Sequence, residues 1–362
     1  MTAPLVYFTE GSRIFFSCWK QRLSISKYSG TAEKICQQIV KDCWNGRYFQ
    51  TSTQHFPQFW TRDFGWCTAS LLKLNYKEEV HHTLRYALNR FKEHGAITTT
   101  ISPRGKPFDF PIRAVDSLPW LIHSIRLSKF SYDHYQAFLN AKIAQFCSAF
   151  VNPNTGLLKP ELHVSSLKDF AVRKSSGYDN CMLGMLAEDL RNMRLDNPLR
   201  NYNYAELLQR HFWNGNYFYD DLSKQEYVAG DANVFPFATG IIKDKSMLVK
   251  AVASIRKAGL DTPLPLKYTA SRKQINFIWQ EQFAFSNYES NALWTHMGLL
   301  YIRLVQQIDS ELADTYLQRY KESIEKYKGL VEVFSEKGKP YHSWYYTADR
   351  SMLWAANYLT LY

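Results

Sequence analysis

The chain has 362 residues, 46% hydrophobic and 21% charged, which supplies a large core and excludes a disordered polymer. Its formal net charge is +11, but the positives form short clusters (Lys243 and Lys245, Arg256 and Lys257, Arg272 and Lys273) with no stripe of interleaved aromatics. That reads as a solvated basic surface and argues against nucleic acid as a partner.

A lead segment of about 28 residues, MTAPLVYFTEGSR onward, has no secretory-signal pattern. Period-3.6 patterning then predicts helices at about 31–44, 63–75, 77–93, 114–127, 132–150, 177–191, 201–214, 231–242, 245–258, 289–307, 309–328 and 346–361. No stretch reaches the roughly 18 apolar residues of a membrane span. The six cysteines (18, 36, 43, 67, 147, 181) show no CxxC and no pairing with His at metal spacing, and His81, His82 and His296 are scattered. The expectation is a cytoplasmic protein with buried thiols, no membrane partner, no metal and no cofactor. Oligomeric state is not legible.

The predicted helices are of two alternating kinds. YKEEVHHTLRYALNRFKEH, KDKSMLVKAVASIRKAG and DSELADTYLQRYKESIEKYKG are charged on one face, as helices with one side in water are. GWCTASLLKL, DSLPWLIHSIRL, CMLGMLAEDL, NALWTHMGLLYIRLV and SMLWAANYLTLY are apolar or small nearly all round and read as enclosed. Six of each, with a repeat of very roughly 55 residues, predict an all-α fold in two concentric rings, a single (α/α)6 toroid. The echo between CWNGRYF (Cys43 to Phe49) and FWNGNYF (Phe212 to Phe218) supports the repeat; Asn-Gly ends a helix in a left-handed turn and the Tyr-Phe pair folds back.

In such a toroid the loops entering the inner helices line a funnel. Those entrances read FWTRDFGW, FPIRAVDSLPW, KSSGYDNCMLG, VAGDANVFPFATG, FSNYESNALWTH and SWYYTADRSMLW, and each carries a carboxylate: Asp63, Asp116, Asp179, Asp231, Glu289 and Asp349. Any one of them is explained by helix N-terminus chemistry. All six beside Trp60, Tyr178, Phe235, Tyr288 and Tyr345 suit a sugar, whose C–H faces stack on rings and whose hydroxyls bond to acids.

Here the chain resembles the six-hairpin glycosidases, a group that includes glucoamylases, trehalases, processing α-glucosidases, mannosylglycerate hydrolases and neutral invertases. FWTRDFGW is similar to the Trp-Thr-Arg-Asp stretch of glucoamylases and neutral invertases, which implies that Arg62 and Asp63 grip the terminal sugar. SSGYDN resembles the Ser-Gly-x-Asp-Asn motif of the processing-glucosidase branch, which implies Asp179 as general acid. The segment LVEVFSEKGKPYHSWYYTADRSMLW looks like the one whose early Glu is the general base, which implies Glu332, with Glu336 as a nearby competitor. Ser175 stands where that branch has Glu, Asp349 is extra, and Met182 occupies the position of the glucoamylase acid, so the glucoamylase mechanism does not transfer.

The resemblance implies an inverting, exo-acting hydrolase of a small glucoside or oligosaccharide. One carboxyl protonates the leaving oxygen and another, about 6.5–9.5 Å away, activates water. Trp60, Arg62, Asp63, Asp116, Tyr178, Asn180, Asp231, Glu289 and Tyr345 are the expected substrate contacts. Two alternatives stand beside it: a carbohydrate-binding or scaffold protein that has lost catalysis, and a phosphorylase- or lyase-type enzyme, for which His342 and Lys339 near Glu332 would be a phosphate-binding hint.

Overall fold

The computed structural model describes residues 3–23, 28–164, 167–278 and 286–361. Among the described residues it contains helices α1 (Ala3–Leu23), α2 (Ala32–Cys43), α3 (Thr61–Lys73), α4 (Lys77–His94), α5 (Ser117–Ser128), α6 (Gln136–Phe150) and α7 (Gly177–Arg191). The second half adds α8 (Tyr204–Phe212), α9 (Gly230–Ala238), α10 (Lys245–Lys257), α11 (Thr295–Val305), α12 (Ser310–Tyr327) and α13 (Ala355–Leu359). All twelve expected helices are present. The lead segment adds a thirteenth, α1, that the periodicity reading left without an element.

The even-numbered helices bury one stripe each. In α4 the buried residues are Val80, Thr83, Leu84, Ala87, Leu88 and Phe91, the three-and-four spacing of an amphipathic helix with one wet face. The odd-numbered helices from α3 onward are enclosed; α7 is buried at all but two positions and α9 at all but one. These enclosed helices pack in a closed circuit, α3 on α5, α5 on α7, α7 on α9, α9 on α11, α11 on α13 and α13 back on α3. The outer helices lie against them, as α8 does on α7, α10 on α9 and α12 on α11. The architecture is an all-α (α/α)6 toroid. Close approach within the inner ring needs small residues: a Cβ on Gly65 of α3 would sit 2.6 Å from the Cβ of Trp120 on α5.

The repeated turn has one geometry in both copies. Trp44 bridges Phe49 and Trp213 bridges Phe218 across Gly46 and Gly215, at φ 84° and 101°. Asn45 Oδ1 accepts the backbone N–H groups of Arg47 and Tyr48, and Asn214 Oδ1 those of Asn216 and Tyr217.

Two expected helices begin late. The 289–307 pattern becomes helical only at Thr295, because β4 (Leu293–Trp294) first pairs antiparallel with β5 (Val333–Phe334). The 346–361 pattern shortens to α13 because Ser351 and Met352 bridge Leu330 and Ser52. A second small sheet joins β1 (Phe59–Trp60), β2 (Thr100–Ile101) and β3 (Pro107–Phe108). Among the described residues no helix is long and apolar enough to cross a membrane. Cys36, Cys67 and Cys181 are buried free thiols and Cys147 is a half-buried one.

Candidate active site

The loops that enter the inner helices enclose a cavity of about 440 Å³, within the range of small-molecule sites of about 300–1,000 Å³. Gly11 and Ile14 of α1 contribute to its wall, and Tyr345 there donates its O–H to Gly11 O at 3.0 Å. Aromatic side chains make most of the lining, including Phe56, Trp60, Trp66, Phe110 and Trp294. Set among them are four carboxylates, Asp63, Asp169, Glu289 and Glu332, and, among the described residues, a single lining cation, Arg62.

Trp60, Arg62, Asp63, Glu289, Tyr345 and Glu332 therefore share one cavity. Arg62 and Asp63, neighbours in sequence, take their direct bonds from different partners. Arg62 Nε donates to Asp116 Oδ2 at 2.5 Å and its guanidinium lies 3.9 Å from Asp169. Asp63 Oδ1 accepts from Trp354 Nε1 at 2.9 Å, and burial pushes its carboxyl up to about 7 against the opposing charge of Arg62.

Glu332 is held from both sides. Oε1 accepts the Tyr288 O–H at 3.0 Å; Oε2 accepts the Tyr346 O–H and, at 3.1 Å, the Asp349 backbone N–H. Burial raises its carboxyl to about 7, with the two tyrosine bonds acting in the opposite direction. Glu336 is exposed, bonds Asn291 and does not line the cavity. His342 and Lys339 do not line it either; His342 Nδ1 meets Thr347 Oγ1 at 3.0 Å.

Five expected site residues stand behind the wall. Asp116 is fully buried and accepts from Arg62 and, at 2.8 Å, from the Tyr178 O–H, so it and Tyr178 fix Arg62 from behind. Asn180 ties loops together, accepting Leu158 N at 2.9 Å and donating to Ser176 O at 2.8 Å. Asp231 and Asp220 are neutralised by Lys168 and Arg173 in a buried group of four charges. Asp179 is 2% exposed and exchanges bonds with the N-cap Ser176: Ser176 Oγ donates to Asp179 Oδ2 at 2.6 Å and accepts Asp179 N at 3.0 Å. Burial raises its carboxyl to about 7, opposed by Arg173, and its Oδ1 has no hydrogen-bond partner among the described residues. Asp349 is likewise internal, saturated by Ser52, His55 N and Ser351.

The acid that faces the cavity on this side is Asp169, on the loop ahead of α7, with a side chain 22% exposed. Its backbone N–H and that of Phe170 donate to Glu289 at 2.7 and 2.8 Å. Burial, then the charge of Asp169, pushes Glu289 well above the ordinary carboxylate range. The entrance rule could not find Asp169, which lies eight residues before α7 within the irregular segment DFAVRKSS. Tyr346 and His296 were also missed, though WTH at 294–296 repeats the WTR of 60–62. In both copies Trp is the helix N-cap in extended conformation, Thr begins the helix, and its Oγ1 donates to a carbonyl, Thr98 O or Val331 O. Arg62 and His296 thus hold equivalent places on the inner ring.

The ring of helix pairs is a fold shared with solved glycosidases. No family model matches the sequence, and no curated protein matches it. Solved structures do. A wild-type glycosidase superposes over 98% of this chain and 97% of its own with a TM-score of 0.67 at 11% identity. A glycosidase variant in complex with glucose gives 0.66 at 10% over the same shares. The mannosylglycerate hydrolase from Thermus thermophilus, in complex with Tris, gives 0.58 at 10%, over 91% of this chain and 99% of its own. A rhamnosidase from Klebsiella oxytoca with rhamnose bound gives 0.63 at 8% over 93% of this chain, which spans 64% of that protein. At these identities the likeness is one of fold.

Proposed function

We propose that this protein is a glycoside hydrolase that releases a neutral terminal sugar from a small glycoside or oligosaccharide with inversion. The observation that carries the proposal is the cavity itself, in which Glu332, oriented by two tyrosines, shares an aromatic-walled space with Asp169, Glu289 and the Arg62 grip. Glu332 is the base that takes a proton from water as the water attacks the anomeric carbon. The acid is assigned to Asp169, whose side chain reaches the cavity; with Glu289 it forms a pair of carboxyls that holds a proton more readily than either would alone. Protonation of the glycosidic oxygen there, with water activated on the other face, breaks the bond. A glucose-like sugar is the first candidate, since a structural neighbour holds glucose. Asp179 is the second assignment for the acid, favoured by its raised carboxyl and partnerless Oδ1.

The test is turnover of trehalose, sucrose, maltose, glucosylglycerate and rhamnosides by the wild type and by Glu332→Gln, Asp169→Asn and Asp179→Asn, with the first anomer read by NMR and folding by circular dichroism. Loss in Glu332→Gln and Asp169→Asn supports the proposal; loss in Asp179→Asn with Asp169→Asn active moves the acid to Asp179. No turnover anywhere, with sugar binding that Asp63→Ala removes, leaves a carbohydrate-binding protein.

A further inference from the structure

His296 is 2% exposed and lines the cavity, yet neither Nδ1 nor Nε2 has a hydrogen-bond partner among the described residues. Its ring lies flat on Trp66, centroids 4.3 Å apart and planes 6° from parallel, with Trp354 and Trp294 edge-on at 4.9 and 5.3 Å. Buried polar atoms are nearly always bonded, so an imidazole left with two unused nitrogens against a cavity is a standing demand for a ligand. Two further cavity-lining groups share the condition, the indole N–H groups of Trp60 and Trp66. Burial among indoles, beside Arg62, holds the imidazole well below its ordinary range, so it is neutral and offers one donor and one acceptor.

We infer that His296, with the indole N–H groups of Trp60 and Trp66, forms the hydroxyl-reading wall of the sugar subsite and confines it to uncharged sugars. A sugar hydroxyl is also one donor with acceptor lone pairs, so it can donate to the bare nitrogen or accept from the protonated one, and two hydroxyls satisfy both functions. A sugar carboxylate would give up its water among aromatic walls where the one lining cation of the described residues, Arg62, is already engaged by Asp116 and Asp169, so uronic acids are refused. The place of His296 on the ring, equivalent to that of Arg62, puts the two side chains on different sectors of one cavity. The inference rests on the glycoside reading for its ligand class but not on turnover.

The experiment is titration of glucose, mannose, rhamnose, glucuronate and the 2-, 3-, 4- and 6-deoxyglucoses, followed by ligand-observed NMR and calorimetry. Wild type, His296→Phe and His296→Asn are compared, with melting curves to verify folding. His296→Phe keeps the ring stack and should bind the preferred neutral sugar about 10- to 100-fold more weakly, while His296→Asn, which retains a donor and an acceptor, recovers part of the loss. One deoxy analogue should cost the wild type as much and cost His296→Phe nothing further. The inference is overturned if His296→Phe binds every sugar as the wild type does, if every deoxy loss simply adds to the loss from the substitution, if glucuronate binds as well as glucose, or if no neutral sugar binds the wild type. Binding that depends on His296 without turnover of any glycoside sustains the inference while the hydrolase proposal fails.

Discussion

Replacing Tyr346 by Phe removes one O–H and little else. The ring remains against His55 and Tyr288, and the deleted group is the donor to Glu332 Oε2. A general base must be ionised, and a donor to the carboxylate favours the ionised form, so its loss moves the Glu332 carboxyl upward from about 7. A hydrogen bond to a charged group contributes about 1.5–3 kcal/mol, and a pKa unit is about 1.4 kcal/mol. The expected rise is about one to two units. At pH 7 the ionised fraction then falls from about a half to between a tenth and a hundredth, and kcat/KM with it by about 5- to 50-fold. The assay is the pH profile of kcat/KM. Its acidic limb should move to higher pH by that interval, with activity approaching the parent's near pH 9. An unmoved limb, or the same loss at every pH, would refute Glu332 as the base.

Four other outcomes are expected. Asp63→Asn keeps an acceptor for Trp354 Nε1 but removes a carboxyl that burial has raised to about 7. A raised carboxyl binds more protons folded than unfolded, so it costs stability as pH rises from about 4 to about 7, by at most about 4 kcal/mol; Asp63→Asn should therefore raise Tm at pH 8, leave it unchanged at pH 4, and weaken sugar binding. Lys168→Met leaves Asp220 and Asp231 with Arg173 as their remaining cation and should cost about 3–5 kcal/mol by denaturant titration. Gly65→Ala places a methyl against Trp120 and should cost about 1–3 kcal/mol by the same measurement. Tyr288→Phe removes the longer bond to Glu332 and should shift the acidic limb in the same direction as Tyr346→Phe.

The ring was legible because its alternation is a burial pattern. A helix wet on one side and a helix enclosed on all sides carry different residues, and two copies of a WNG turn marked the repeat. Individual roles at the entrances were less legible. Arg62 and Asp63 occupy successive helical positions about 100° apart, so one turns to Asp116 and Asp169 while the other turns to Trp354. Asp116, Asp179 and Asp231, like Asp63, stand at the N-cap or in the first turn of an inner helix, yet they lie behind the cavity wall; only a structure tells which side of a helix start looks into the funnel. Asp169 had no periodic neighbour to mark it. His296 did have a marker, the repeated Trp-Thr dipeptide, but the repeat gains meaning only when both Trp residues are seen as N-caps joined to short strands.

The acids of this site are costly, and that cost is what would equip them for the proposed hydrolysis. The protein neutralises Asp220 and Asp231 fully, with two cations for two carboxylates, and those groups lie outside the cavity. Around the cavity it does the opposite: Asp63, Asp169, Glu289 and Glu332 line a space whose one lining cation among the described residues, Arg62, is itself tied to Asp116. Burial, aided by the charge of a neighbouring carboxylate (Asp116 for Asp63, Asp169 for Glu289, Asp349 for Glu332), then favours the neutral forms, which is visible in their raised carboxyls. A group that must give a proton at neutral pH needs such surroundings, and a group that must take one needs specific donors to resist them. Glu332 has those donors in Tyr288 and Tyr346, whereas Glu289 has two backbone N–H groups and a second acid beside it. In the proposed hydrolase the division of labour between base and acid then follows from which carboxylate receives hydroxyl donors and which receives another carboxylate. Exchanging those surroundings should exchange the pH limbs that each controls.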